Sequence, residues 1–290
     1  MKNRSYPILL SAFCLFFLLA LSSAATSSVP REVEDEREFD YVAGSEKGPT
    51  HWGELKKEWE ACKNGEMQSP IDLSSRRVKV IPKLGEIRRS YKPSNATLKN
   101  RGHDISLQWD VGSVGSIKLN GTDYFLHQCH WHSPSEHTIN GRRYEMEIHM
   151  VHVSIDPKVE NKIAVVGILY RTGQPDAFLS KLMGNLRSMV DQEGERKMDV
   201  FDPREIKMGG GKNYLRYMGS LTVPPCTEGV IWTINKKIGT VSKDQIKLLR
   251  EAVHDYAEKN ARPVQRLNRR EIHLYNQMQQ QHQINPFLHH

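Results

Sequence analysis

Alternation of apolar and polar residues, the mark of a half-buried strand, recurs through the middle of this chain. Asp104–Trp109, Gln128–His132 and Glu145–Val151 alternate, Ile163–Tyr170 is a near-continuous apolar run, and Val230–Ile234 is β-branched and aromatic. These segments predict a core built on a sheet. Helical periodicity is clearest over Asp176–Val190 and Ser242–Glu258, the second opened by Ser242 as an N-cap. Both helices are expected to pack around the sheet.

The two ends read differently. Lys2 and Arg4 precede an apolar run from Ile8 to Leu21, followed by the small residues Ser23, Ala24 and Ala25, which is the pattern of a signal peptide over residues 1–25. That run falls short of the roughly 20 residues a membrane span needs, and no later segment qualifies, so no span is expected in the mature chain. Residues 26–38 are small and then charged, a flexible lead-in. The stretch 276–290 is rich in Gln and His and reads as a disordered tail, because it has little to set against its ordering entropy. One domain of roughly 240 residues, 39–275, remains.

Charge adds one exclusion. Losing Lys2 and Arg4 lowers the net charge from +7 to +5, and the remaining basic residues are scattered rather than striped with aromatics, so nucleic acid is not an expected partner. Cys14 leaves with the signal peptide, leaving Cys62, Cys129 and Cys226 in a compartment that permits disulfides; three cannot all pair. The sequons at Asn95 and Asn120 fit the same route. Oligomeric state is not written in the sequence.

The candidate chemistry lies in the histidines. Of 13 in the chain, His127, His130, His132, His137, His149 and His152 fall within 26 residues. On a strand, Gln128, His130 and His132 share one face, with two imidazoles about 7 Å apart. Glu145, Glu147, His149 and Val151 share a face of the second strand. Asn140-Gly141 between them is a hairpin signal. With that dipeptide as the turn, Ile139 pairs with Arg142, and the same register sets His132 directly opposite His149. Pro134 is expected to interrupt the ladder, so the shared face carries more weight than the register. Three neutral imidazoles leave the fourth tetrahedral position of a zinc ion open for water, the pattern of a catalytic rather than a structural zinc site. Gln128 and Glu147 sit two residues before His130 and His149, placed to take the rings' other N–H groups. Core histidines satisfied by hydrogen bonds are the competing reading of the spacing.

Six motifs in order then carry a resemblance: Gly48-Pro49-Thr50-His51-Trp52, Gln68-Ser69-Pro70-Ile71, Asn100-Arg101-Gly102-His103, His130 through Thr138, Glu147 through His152, and Gly219 through Cys226. The chain resembles the plant branch of the alpha-class carbonic anhydrases from about Phe39 to Tyr275. The resemblance implies a mainly β (α+β) fold: a central twisted, mostly antiparallel sheet with short peripheral helices and zinc at the base of a conical cleft. It implies Zn2+ on His130, His132 and His149, with Gln128, Glu147 and the backbone carbonyl of Asn260 as their supports. Zinc-bound hydroxide would hydrate carbon dioxide to bicarbonate, with Thr222 and Glu136 orienting it and His103 as proton shuttle.

Further roles follow from the same resemblance. Val151, Val165, Leu221 and Trp232 would form the apolar wall that receives carbon dioxide, with Thr222 and Val223 beside it. Tyr41 would help order the water chain, and Cys62 and Cys226 would form a disulfide, leaving Cys129 a buried thiol. Val223, Arg101 and Ser106 depart from the residues many members carry and bear on turnover rather than reaction type. The route is secretory, to the apoplast or a plastid. A storage or carbohydrate-binding protein on the same fold, as known among plant relatives that have lost ligands, is the alternative function.

Overall fold

The computed structural model describes residue 32 and residues 38–190, 194–253 and 259–277. The signal peptide, most of the lead-in, the segment 254–258 and nearly all of the tail lie outside the described residues. Fifteen strands and four α-helices occur among the rest. The strands are β1 (Val78–Val80), β2 (Arg88–Arg89), β3 (Ser94–Asn100), β4 (Ile105–Gln108), β5 (Ser116–Leu119), β6 (Thr122–His132), β7 (Thr138–Ile139), β8 (Arg142–Arg143), β9 (Met146–Val153), β10 (Ile163–Thr172), β11 (Gly194–Phe201), β12 (Asn213–Ser220), β13 (Glu228–Asn235), β14 (Gly239–Val241) and β15 (Ile272–Asn276). The helices are α1 (Trp52–Leu55), α2 (Ala61–Asn64), α3 (Ala177–Arg187) and α4 (Lys243–Ala252).

Thirteen strands join one twisted mixed sheet, whose main path runs β1-β15-β12-β13-β10-β9-β6-β4-β3-β11. Most neighbours are antiparallel, while β1 with β15 and β10 with both β13 and β14 are parallel. The last strand extends one residue past Tyr275, and Gln277 N still donates to Lys212 O at 3.0 Å. Strand ends thus reach slightly into the expected tail.

Strand parity divides the interior in two. On one face Leu107, Cys129, Trp131, Ile148 and Met150 pack against Phe178, Leu179, Leu182 and Leu186 of α3 and Ile246 and Leu249 of α4 in the main core. Burying each such side chain contributes about 1.5–3 kcal/mol, so Leu182→Ala is the kind of change, at about 2–5 kcal/mol, that would loosen α3. On the other face Val151, Val165, Leu169, Tyr217 and Trp232 form a second cluster, beside which the histidines stand.

Both helices begin where capping chemistry places them. Asp176 accepts from Leu179 N at 2.8 Å, and Ser242 and Gln245 form a capping box at α4. Gln245 also binds both backbone groups of Asp176 at 2.8 Å, so one side chain joins the two helix starts. The helix α3 stops at Arg187, three residues before the predicted Val190, where Met189 turns into the core.

The Asn140-Gly141 turn forms with φ of 50° and 77°, and pairs Ile139 with Arg142 as its sequence predicts. The register beyond it differs from the prediction. β7 and β8 form a separate hairpin, and in the β6–β9 ladder His130, not His132, lies opposite His149. The chain leaves the ladder over Ser133–His137, around Pro134, and re-enters displaced by two residues. An even displacement keeps every side chain on its side of the sheet.

Candidate metal centre

Strands β6 and β9 bring His130, His132 and His149 together as buried side chains with one nitrogen each within 4.8 Å of the others. The outer nitrogens are all committed. His130 Nδ1 donates to Gln128 Oε1 at 2.8 Å, His132 Nδ1 to the Asn260 carbonyl at 2.6 Å, and His149 Nε2 to Glu147 Oε1 at 2.8 Å. Each acceptor can only accept at that atom, so the inner nitrogens, Nε2 of His130, Nε2 of His132 and Nδ1 of His149, carry lone pairs. His132 Nε2 has no hydrogen-bond partner, and His130 Nε2 and His149 Nδ1 face each other at 3.3 Å. Lone pairs converging in a buried place fit a cation.

Burial pushes the protonation of His130 and His149 down. For His132 burial acts the same way and is the largest single influence, but Glu136, Asp104, the Asn260 carbonyl and Glu147 together outweigh it and the net direction is up. Glu136 Oε1 accepts from Arg262 N at 2.9 Å; its Oε2 has no partner and stands 3.7 Å from His132 Nε2. Thr222 is buried on the loop after β12, and no hydrogen bond joins it to Glu136.

A second group, His137, Glu147 and His149, is also close enough to hold a metal, but hydrogen bonds close it. Glu147 Oε1 accepts from both rings, and its Oε2 accepts from the backbone N–H groups of Glu136 and His137 at 3.0 and 2.9 Å. Burial works to raise this carboxyl, and the electrostatic pull and hydrogen bonds of the His137 and His149 rings together outweigh it, holding it well below the usual range. From His137 the network runs through Tyr217 at 2.6 Å to Ser69 at 2.8 Å, whose Oγ accepts from Ser220 N at 3.0 Å. His137, Tyr217 and Arg262 therefore tie the centre to the Thr222 loop, and spacing alone does not single them out. His137 beside Glu136, and Arg262 two residues after Asn260, are the available signals.

The remaining sequence candidates divide by location. Val151, Val165, Leu221 and Trp232 share one apolar cluster, with the Trp232 ring 4.8 Å from that of His149. Val223 and Tyr41 lie in another, with Phe39, Trp52, Trp59 and the Cys62–Cys226 disulfide. Cys129 is free and buried, its thiol pushed up by burial. His103 is fully buried, neither ring nitrogen is hydrogen-bonded, and burial lowers it to about 4. Ser106 pairs with His130 across β4 and β6. Asn95 and Asn120 are exposed.

A family model described as eukaryotic-type carbonic anhydrase matches residues 47–276. The chain belongs to the carbonic anhydrase family. Alpha carbonic anhydrase 7 of Arabidopsis thaliana is 53% identical over 264 residues, covering 91% of this chain and 93% of that one. Carbonic anhydrase Nec1 of Nesocodon mauritianus is 52% identical, covering 89% and 92%. A solved structure of dioscorin complexed with ascorbate aligns at a TM-score of 0.78 with 44% identity, over 83% of this chain and 98% of that chain. The large mixed sheet with few short helices is the carbonic anhydrase fold. Among the described residues no helix is long and apolar enough to cross a membrane.

Proposed function

We propose that this member of the carbonic anhydrase family is a zinc enzyme interconverting carbon dioxide and bicarbonate. The observation that carries the reading is the trio of buried inner nitrogens whose outer partners leave them no other use. A zinc ion held there would lower the pKa of a coordinated water to about 7 and supply a nucleophile at neutral pH, a value for which carbonic anhydrase is itself the standard example.

The chain's own residues do the rest. Gln128, Glu147 and the Asn260 carbonyl fix ring orientation and tautomer. Glu136, with Oε2 left without a donor, is the acceptor available to the Thr222 hydroxyl, and that bond would give the site a direction. Val151, Val165, Leu221 and Trp232 offer carbon dioxide, which has no charge to grip, an apolar wall. His103 carries the proton outward.

Stopped-flow hydration with zinc analysis on one preparation tests this. One tightly bound zinc and sulfonamide-sensitive hydration abolished by His130→Ala are expected. Purification without metal, or hydration unaffected by that substitution, would refute it. The likeness to dioscorin favours one other reading, a non-enzymatic protein on this fold; zinc-loaded protein with no hydration above buffer would select it. The disulfide fits an oxidising compartment, and in this reading the chain enters the secretory route with glycans on Asn95 and Asn120.

A further inference from the structure

Arg262 is buried, and its guanidinium donates to neutral acceptors: Nη1 to Gln68 Oε1 and to the Ser69 carbonyl, Nη2 to the Cys62 carbonyl, each at 2.8 Å. Nε has no hydrogen-bond partner, and the Trp52 ring centroid lies 5.6 Å from Cζ. Burial lowers the group to about 10, a cost that neutral acceptors offset less well than a carboxylate would. What the residue holds explains it better than what it adds to stability. It has two grips. Its backbone N–H donates to Glu136 Oε1 at 2.9 Å. Its side chain reaches both ends of the loop that carries Thr222. Gln68, which accepts from Nη1, donates through Nε2 to the Cys226 carbonyl at 3.0 Å. Ser69, whose carbonyl also accepts from Nη1, exchanges two bonds with Ser220: its N–H donates to Ser220 Oγ at 2.9 Å, and its Oγ accepts from Ser220 N at 3.0 Å. Ser220 and Cys226 bracket the loop, with Thr222 between them.

We propose that Arg262 is a positioning residue of the hydration reaction: by holding Glu136 with its backbone and the Thr222 loop with its side chain, it sets the reach from Glu136 Oε2 to the Thr222 hydroxyl. This rests on the function proposed above. A guanidinium suits the task because its donors lie in one rigid plane, so three acceptors are kept at a fixed spacing. A lysine ammonium is a point charge on a flexible stem. It keeps the charge and loses the spacing. The backbone grip on Glu136 does not depend on the side chain, so a substitution at Arg262 loosens the loop while the carboxylate stays where it is.

The test compares Arg262→Lys with wild type, both zinc-loaded. Amide hydrogen exchange reads the loop without reference to activity. The N–H groups of Ser220, Leu221 and Cys226, which donate to Ser69 Oγ, Thr227 O and Val223 O, are expected to exchange about tenfold faster or more, the equivalent of one lost hydrogen bond to a charged group. Those of β9 and β10 should keep their rates. In stopped-flow hydration kcat/KM, which contains the attack on carbon dioxide, is expected to fall by about 10- to 100-fold, as for a misplaced reacting group. The fall in kcat, which also contains proton release, should be smaller. Zinc affinity should hold, since the bonds of Arg262 go to none of the three imidazoles. In a Thr222→Ala background the loss in kcat/KM should shrink to about twofold or less, because the hydroxyl that Arg262 positions is gone. Unchanged exchange of the three amides would overturn the proposal, as would losses that simply add to that of Thr222→Ala, or zinc affinity that falls with activity. Gln68→Met cuts the link to Cys226 and leaves Arg262 in place. It should speed exchange at Cys226 and lower kcat/KM in the same sense, and unchanged values there would overturn the proposal even where Arg262→Lys does not fold. A wild type that hydrates no carbon dioxide, with a loop that still loosens in Arg262→Lys, would sink the enzymatic reading while leaving the Arg262 clamp standing.

Discussion

Glu147→Gln puts the hydrogen-bond logic of the metal centre to its hardest trial. The substitution keeps shape and volume but replaces a carboxylate that accepts four hydrogen bonds, from His149, His137 and two backbone N–H groups. An amide has one accepting end. If its NH2 faces the backbone of Glu136 and His137, two buried N–H groups are orphaned, at about 1–3 kcal/mol each. If it faces the rings, His149 must accept at Nε2 and carry its proton on Nδ1, the nitrogen that faces His130 and His132. Metal affinity would then fall, by about 10- to 100-fold for the loss of such a support. The cost therefore appears in one of two measurements and cannot vanish from both. Urea unfolding of the metal-free protein reads the first, with a loss of about 2–6 kcal/mol expected on that branch. Chelator competition for zinc reads the second. A variant within about 0.5 kcal/mol in stability, the scatter of an inconsequential surface change, and within about twofold in zinc affinity would refute the assigned tautomers.

Three further outcomes are expected. Burial lowers His152 to about 4 from its ordinary 6.5, and the ring is held neutral between the Tyr91 hydroxyl at 2.5 Å and the Ala164 carbonyl at 3.2 Å. The unfolded chain takes up a proton there first, so this contribution is lost as pH falls from about 6.5 toward about 4; the stability gap between wild type and His152→Gln should close by about 2 kcal/mol from about pH 7.5 to about pH 5 in urea titrations. Gly167→Ala places a Cβ 2.6 Å from Ile234 Cδ1 and 3.0 Å from Glu147 Oε1, so calorimetry should show a loss of about 1–3 kcal/mol together with weaker zinc retention. Cys62→Ser opens a link spanning 164 residues, and denaturant midpoints should report a loss of about 2–4 kcal/mol, matched by reduction of the wild type.

What can be read in advance follows the range over which each rule acts. Parity within a strand is local, so the grouping of Gln128, His130 and His132 on one face, and of Glu147, His149 and Val151 on another, is legible from alternation alone. Helix starts are legible at Asp176 and Ser242 because capping spans only three residues. The register between β6 and β9 is not, because it depends on how Ser133–His137 leaves and rejoins the ladder, and the bulge between Leu126 and Gln128 shifts it again. The network from Glu147 through His137 to Tyr217 is hidden for a different reason: His137 and Tyr217 are far apart in the chain and meet only once the sheet has assembled.

The two-residue offset between the β7–β8 hairpin and the β6–β9 ladder has an evolutionary reading. Each ligand strand is oriented by its own inward-facing partners, Cys129 and Trp131 on one and Ile148 and Met150 on the other, and not by counting back from the turn. Insertions at the exposed Asn140-Gly141 tip of the hairpin would therefore lengthen a lip of the molecule without inverting the ligands. That tip, and not the buried Ser133–His137 segment that binds Glu147 and Asn260, is where a lineage can accept a grafted peptide while the three imidazoles stay in place.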